Sequence, residues 1–167
     1  MAQQVTLYVA SALGVSEAGR HFYYGRLLPL VESLGFVVLD PWKLTDATKI
    51  KQVRTMAFGA ARREAWRQLN VEIGETNRRA IESADGLLAV LDGPSVGGGI
   101  GTEIGFAYAR GKRIVGYRGD FRQVGDNEGT IVGLQVEYFI QASGGTIVTA
   151  LEKLPDALQT IFRSPRP

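Results

Sequence analysis

An open α/β sheet, mostly parallel and built from about five strands with helices on its flanks, is the fold class this sequence predicts. Three observations carry that expectation. Short apolar runs lack polar alternation, as do strands buried on both faces. Segments with helical periodicity separate those runs, which is the pattern of parallel βαβ units. Finally, 12 of the 21 glycines fall between Gly93 and Gly133, directly after the third apolar run. Open α/β sheets bind their ligands at the ends of strands like these.

Each element has its own signal. Residues 5–10 (VTLYVA) form the first β-rich run, followed by a small-residue loop over 11–15. Ser16 reads as an N-cap with Glu17 in the first turn, opening a helical stretch that Gly35 stops and Pro29 kinks or divides. The second strand is 36–39 (FVVL), ended by Asp40-Pro41. Helical character resumes near Ala57 and runs to Ser83, with Gly74 as a possible break. Strand three is 86–91 (GLLAVL), and the loop 92–101 leads into a short helix over 102–110. Strand four is 113–117 (RIVGY); residues 120–129 read as a polar loop and 149–162 as a C-terminal helix.

Composition narrows the function classes. The 167 residues suit one domain spanning 1–167, and 45% hydrophobic with 22% charged residues is ordinary for a globular protein. With no cysteine there is no disulfide framework, thiolate zinc site or cysteine nucleophile. One histidine, His21, rules out a polyhistidine metal site within one chain. It sits in an aromatic-rich helical segment and reads as a partly buried structural residue. Nineteen Lys and Arg against 17 Asp and Glu is nearly balanced. Arg54, Arg62, Arg63, Arg67, Arg78 and Arg79 interleave with Glu64, Glu72, Glu75 and Glu82, so this stretch reads as a solvated helix face rather than a nucleic-acid patch. No apolar run reaches membrane-spanning length, and Met1-Ala2-Gln3-Gln4 lacks a signal-peptide pattern. The expectation is a cytoplasmic protein with no metal and no cofactor, binding neither nucleic acid nor membrane.

The glycine cluster marks the candidate site. Gly97-Gly98-Gly99-Ile100-Gly101-Thr102-Glu103 runs straight into a helix, where glycines permit unusual dihedrals and close ligand approach. It is not a dinucleotide fingerprint, because Ile104 stands where the third glycine belongs. Gly111-Lys112-Arg113 lacks the remainder of a P-loop. Glu103 falls in the first turn of the expected helix, where the dipole favours its ionised form. A carboxylate at the mouth of a glycine-lined pocket is either a nucleophile or base, or a plain helix-start residue.

Several segments together resemble the nucleoside 2-deoxyribosyltransferases. They are Leu7-Tyr8-Val9-Ala10, the stretch from Ala84-Asp85-Gly86 to Leu91-Asp92-Gly93, and Gly101-Thr102-Glu103-Ile104-Gly105-Phe106-Ala107. Gly116-Tyr117-Arg118-Gly119-Asp120-Phe121-Arg122, Leu134-Gln135-Val136-Glu137-Tyr138-Phe139-Ile140 and Ser143-Gly144-Gly145 continue the likeness, which is weakest over 43–69. The resemblance implies a single-domain, flavodoxin-like (doubly wound) sheet. It also implies base exchange on 2′-deoxyribose through a covalent glycosyl-enzyme, with net retention and ping-pong kinetics. In that reading Glu103 is the nucleophile and Tyr8 its hydrogen-bond partner. Ser11, Asn77, Gly97, Gly99 and Gln135 line the substrate site.

Asp92 either lines that site or bonds loop amides in an Asx-turn. Trp42, after the second strand, either stacks on a base or packs in the core. The positions where relatives carry base-facing carboxylates hold Gly97 and Asn77, and a neighbouring subunit's sugar-binding asparagine corresponds to Gly133, with Asn127 nearby. The implied partners are deoxynucleosides and free nucleobases, in a homo-oligomer whose sites are completed across subunits. The alternatives are an N-glycosidase using the same glutamate and a non-catalytic nucleotide-binding module.

Overall fold

The computed structural model describes residues 4–163; Met1 to Gln3, read above for a targeting signal, and residues 164–167 lie outside the described residues. Five strands form one sheet in the order β2-β1-β3-β4-β5, and every neighbouring pair is parallel. The chain runs through β1 (Thr6–Ala10), α1 (Glu17–Phe22), α2 (Leu28–Ser33), β2 (Val37–Leu39), α3 (Pro41–Leu44), α4 (Ala47–Thr55) and α5 (Ala60–Ser83). It continues through β3 (Gly86–Val90), α6 (Gly98–Ala109), β4 (Arg113–Tyr117), α7 (Leu134–Ala142), β5 (Thr146–Val148) and α8 (Leu154–Arg163).

Period-two alternation sends alternate side chains to opposite faces. Leu7 and Val9 of β1 pack with Tyr23, Leu27, Val31, Leu154 and Leu158 in one core layer. Tyr8 and Ala10 point the other way, into a layer with Ile81, Ile104, Ala107 and Ile140 from α5, α6 and α7. Both layers are apolar because a parallel sheet is covered on both sides. The order reverses between β1 and β3, and a doubly wound sheet opens its ligand crevice at such a switch point.

The helical boundaries depart from the sequence expectations in several places. Of the two alternatives for the first helical stretch, the divided one is found, with the irregularity upstream of the proline: α1 passes through a π-helical turn over Tyr23–Leu27 into α2, and Pro29 follows as the second residue of α2. The helix expected from Ala57 to Ser83 is present as α5, starting at Ala60, whereas α3 and α4, before Gly59, were not expected. Gly74 causes no break, because α5 is long enough to carry one glycine at a cost of about 1 kcal/mol. Thr149 is not helical; β5 and a 3-10 turn over Leu151–Lys153 precede α8.

The charged face of α5 is solvated as expected. Arg78 pairs with Glu75 and Glu82, Arg79 with Glu75, and Arg67 with Glu64, all at the surface. His21 is exposed on α1 rather than partly buried, because the inward face of that stretch is taken by Gly19 and Tyr23. Among the described residues no helix is long and apolar enough to cross a membrane.

Candidate active site

At the switch point the carboxyl ends of β1 and β3 open onto a cleft of about 320 Å³. The loop after β1 contributes Ser11, Ala12 and Val15, the start of α3 contributes Pro41 and Trp42, and α5 contributes Ile73 and Asn77. The start of α6 supplies Gly97, Gly99, Ile100 and Glu103. Five of the expected site residues, Ser11, Asn77, Gly97, Gly99 and Glu103, therefore share one cleft although they are far apart in sequence.

The Tyr8 hydroxyl donates to Glu103 Oε1 at 2.6 Å, across 95 residues of chain. Tyr8 itself is fully buried on β1, and its face of the sheet is the one α6 packs against. Burial pushes the Glu103 carboxyl above the ordinary carboxylate range, and the Tyr8 hydrogen bond pulls it partly back. Burial and the adjacent Glu103 charge hold the Tyr8 hydroxyl protonated well above the usual tyrosine range. Tyr8 is thus a permanent donor at neutral pH. Among the described residues, Glu103 is the only ionisable one lining the cleft.

The local setting of Glu103 differs from the sequence expectation. The helix begins at Gly98, not Thr102, so Glu103 lies in the second turn. Glycine's poor helix propensity hid that start. Nor do Gly97, Gly98, Gly99 or Gly101 adopt positive φ. A Cβ added at Gly97, Gly98 or Gly99 would meet nothing within 4 Å, so what these residues provide is bare space at the helix start. Burial, not the helix dipole, dominates the carboxyl.

A second layer supports the first. Asp40 caps α3, its Oδ1 accepting from Trp42 N and from the buried Tyr23 hydroxyl, each at 3.1 Å. Ser11 Oγ accepts from Leu13 N at 3.1 Å, while the Ser11 carbonyl receives the Trp42 indole N–H at 3.1 Å. Asn77 Oδ1 is buried with no hydrogen-bond partner, the condition of an acceptor waiting for a donor.

Two expected residues lie elsewhere in their own chain. Asp92 Oδ1 accepts from Asp120 N at 2.9 Å, tying the loops after β3 and β4 together. Gln135 lines a separate depression with Asp126, Gly133, Leu134 and Val136. A larger cavity of about 410 Å³ lies beyond β4, bordered by Arg118, Asp120, Arg122 and Glu128 among others. The lining residues Ala12, Val15, Pro41, Ile73 and Ile100 had no sequence signal beyond being small or apolar. Among the described residues no group of three or more His, Asp or Glu is placed to hold a metal ion.

Comparison with known proteins supplies the context. No curated protein sequence gives a significant match. Among solved structures, a conserved protein from Enterococcus faecalis V583 superposes with a TM-score of 0.67 at 21% identity, over 95% of this chain and 99% of that one. A 2-desoxiribosyltransferase from Leishmania mexicana gives 0.63 at 20% identity, over 97% and 99%. The CMP N-glycosidase BcmB of Clostridium botulinum gives 0.54 at 18%, over 93% and 98%. At these identities the likeness carries the fold. The sequence itself matches the nucleoside 2-deoxyribosyltransferase family over residues 7–144. With most of its length in that match and a flavodoxin-like parallel sheet beneath it, the chain belongs to the nucleoside 2-deoxyribosyltransferase family, a family of enzymes acting on nucleosides.

Proposed function

We propose that the protein exchanges purine or pyrimidine bases on 2′-deoxyribose, with Glu103 as nucleophile. The observation that carries this reading is the Tyr8–Glu103 hydrogen bond at the cleft. A buried carboxylate is poorly solvated and therefore reactive, and Tyr8 holds Oε1 so that Oε2 is presented for attack. Glu103 bonds to C1′, the C1′–N bond breaks, and the base departs with that electron pair. Among the described residues no second carboxyl group lines the cleft, so the departing base takes its proton from water while the Asn77 amide bonds its edge. An acceptor base then attacks C1′, expels Glu103 as carboxylate and gives its proton to water. Two inversions produce net retention.

Among the described residues no lysine or arginine lines the cleft, and we read this as favouring neutral nucleosides over 5′-phosphates. Leu134 and Tyr138 of α7 are half-exposed beside Gln135 and Gly133. An apolar patch of that kind supports a homo-oligomer in which Gln135 serves a neighbouring site. Asp92 acts by holding the β3 and β4 loops in register.

Hydrolysis is the second reading, favoured by the open space at Gly97 and Gly99, which leaves room for water. One assay separates the two. The protein is incubated with a deoxynucleoside, with and without a second free base, and products are followed by chromatography. Exchange that requires the acceptor supports transfer. Free deoxyribose in both tubes supports hydrolysis, and no turnover in either rejects both.

A further inference from the structure

The chemistry above uses Glu103 and Tyr8 and leaves one wall of the cleft without a role. That wall is Trp42, an indole 43% exposed. It is fixed at three points. Its main-chain N–H is held by Asp40 Oδ1, which also takes the Tyr23 hydroxyl. Its indole N–H is held by the Ser11 carbonyl. Its ring lies so close over Gly14 that a Cβ there would stand 2.3 Å from Cε2. Gly14 is therefore the seat of the ring, and any side chain at that position would unseat it. A large aromatic surface locked before binding loses little entropy when a flat ligand stacks on it.

Asn77 offers a second contact in the same cleft, its buried Oδ1 unpartnered. A carboxamide carries a donor and an acceptor, and by turning over it complements either an amino or an oxo edge. It can hold a base edge without choosing between those substituents. Discrimination then rests on the stacking platform, and stacking grows with ring area.

Building on the nucleoside reading of this cleft, we propose that Trp42, seated on Gly14, is the base-stacking platform and gives the site a preference for purines over pyrimidines, without discrimination between amino and oxo purines. Two tryptophans occur, Trp42 and Trp66, so Trp66→Phe leaves Trp42 as the sole reporter. Adenine, hypoxanthine, cytosine and uracil are titrated as free bases, with fluorescence reporting the site and equilibrium dialysis giving Kd.

The expected result is that adenine and hypoxanthine quench Trp42 and bind within about three-fold of each other. Both bind roughly three- to ten-fold tighter than cytosine or uracil. Trp42→Ala and Gly14→Ala both bring the purine-to-pyrimidine ratio close to one, and Trp42→Phe retains part of it. Circular dichroism checks that each variant is folded. Equal binding of the two classes, saturation without a change in Trp42 emission, no binding of any base, or an unchanged ratio in folded Trp42→Ala overturns the proposal. Free bases undergo no transfer by themselves. Purine-selective quenching without base exchange would therefore reject the reaction and keep the platform, whereas exchange at equal rates for both classes would do the reverse.

Discussion

Two hollows open at the carboxyl edge of the sheet, and they treat charge differently. Beyond β4, Asp120 pairs with Arg122, which holds the Asp120 carboxyl far below its usual range. The fully buried Arg118 donates to the carbonyls of Leu91, Gly93 and Arg122, with only its Nε unpartnered. Charges there are spent on joining loops. At the β1–β3 switch, among the described residues, Glu103 faces no cation, its carboxyl takes its one hydrogen bond from an uncharged hydroxyl, and Asn77 Oδ1 is unpartnered. The hollow beyond β4 is the larger, at about 410 against 320 Å³. Chemistry is assigned to the smaller one because its polar groups are buried and incompletely answered.

The sharpest way to break this contrast is to remove the lone carboxyl. Glu103→Ala is expected to lower base exchange by about 10³-fold or more, measured as kcat/KM for a deoxynucleoside with a free base. Tyr8→Phe is expected to lower kcat by about 10–10²-fold. Its pH profile is the more telling readout. Attack needs the ionised carboxylate, which burial disfavours and the Tyr8 hydroxyl favours. Activity should therefore fall on the acid side at a pH above the ordinary glutamate range, and losing Tyr8 should move that limb further upward.

Stability gives a smaller effect of opposite sign. The folded-state pKa of Glu103 is raised, so stability conferred by the protonated form is present at low pH and lost as pH rises through that value. Glu103→Gln is expected to be more stable than the parent at neutral pH by about 0.5–2 kcal/mol. That gap should close below the ordinary glutamate pKa, as thermal melts across pH would read. Asp120→Asn in the other hollow is the smallest change: base exchange should stay within about two-fold, and the melting temperature should barely move, because the Asp120–Arg122 pair is exposed on its arginine side.

Legibility from sequence followed burial and length. The strands at Gly86–Val90 and Arg113–Tyr117 were readable because continuous apolar runs have few other uses. β5 was not readable. β2 and β5 are both three residues of intermediate burial, but β2 is wholly apolar between Gly35 and Asp40-Pro41, whereas β5 opens on Thr146 and has no such stop signal after it. α7 was visible only as a block of family resemblance, and the start of α6 was hidden by its own glycines. Glu103 and Tyr8 stood out through that resemblance, whereas their 2.6 Å contact is a product of the sheet. The seating of Trp42 on Gly14 brings together residues 28 apart by packing alone, and no local rule announces it.

The central claim is that Glu103 forms a bond to the sugar. The direct measurement is acid-quenched mass spectrometry of the protein mixed with a deoxynucleoside and no acceptor, followed by proteolysis. One deoxyribosyl group is expected on the peptide containing Glu103, discharged when a free base is added and absent in Glu103→Ala. An unmodified Glu103 peptide under conditions that support turnover, or an adduct on another residue, would contradict it.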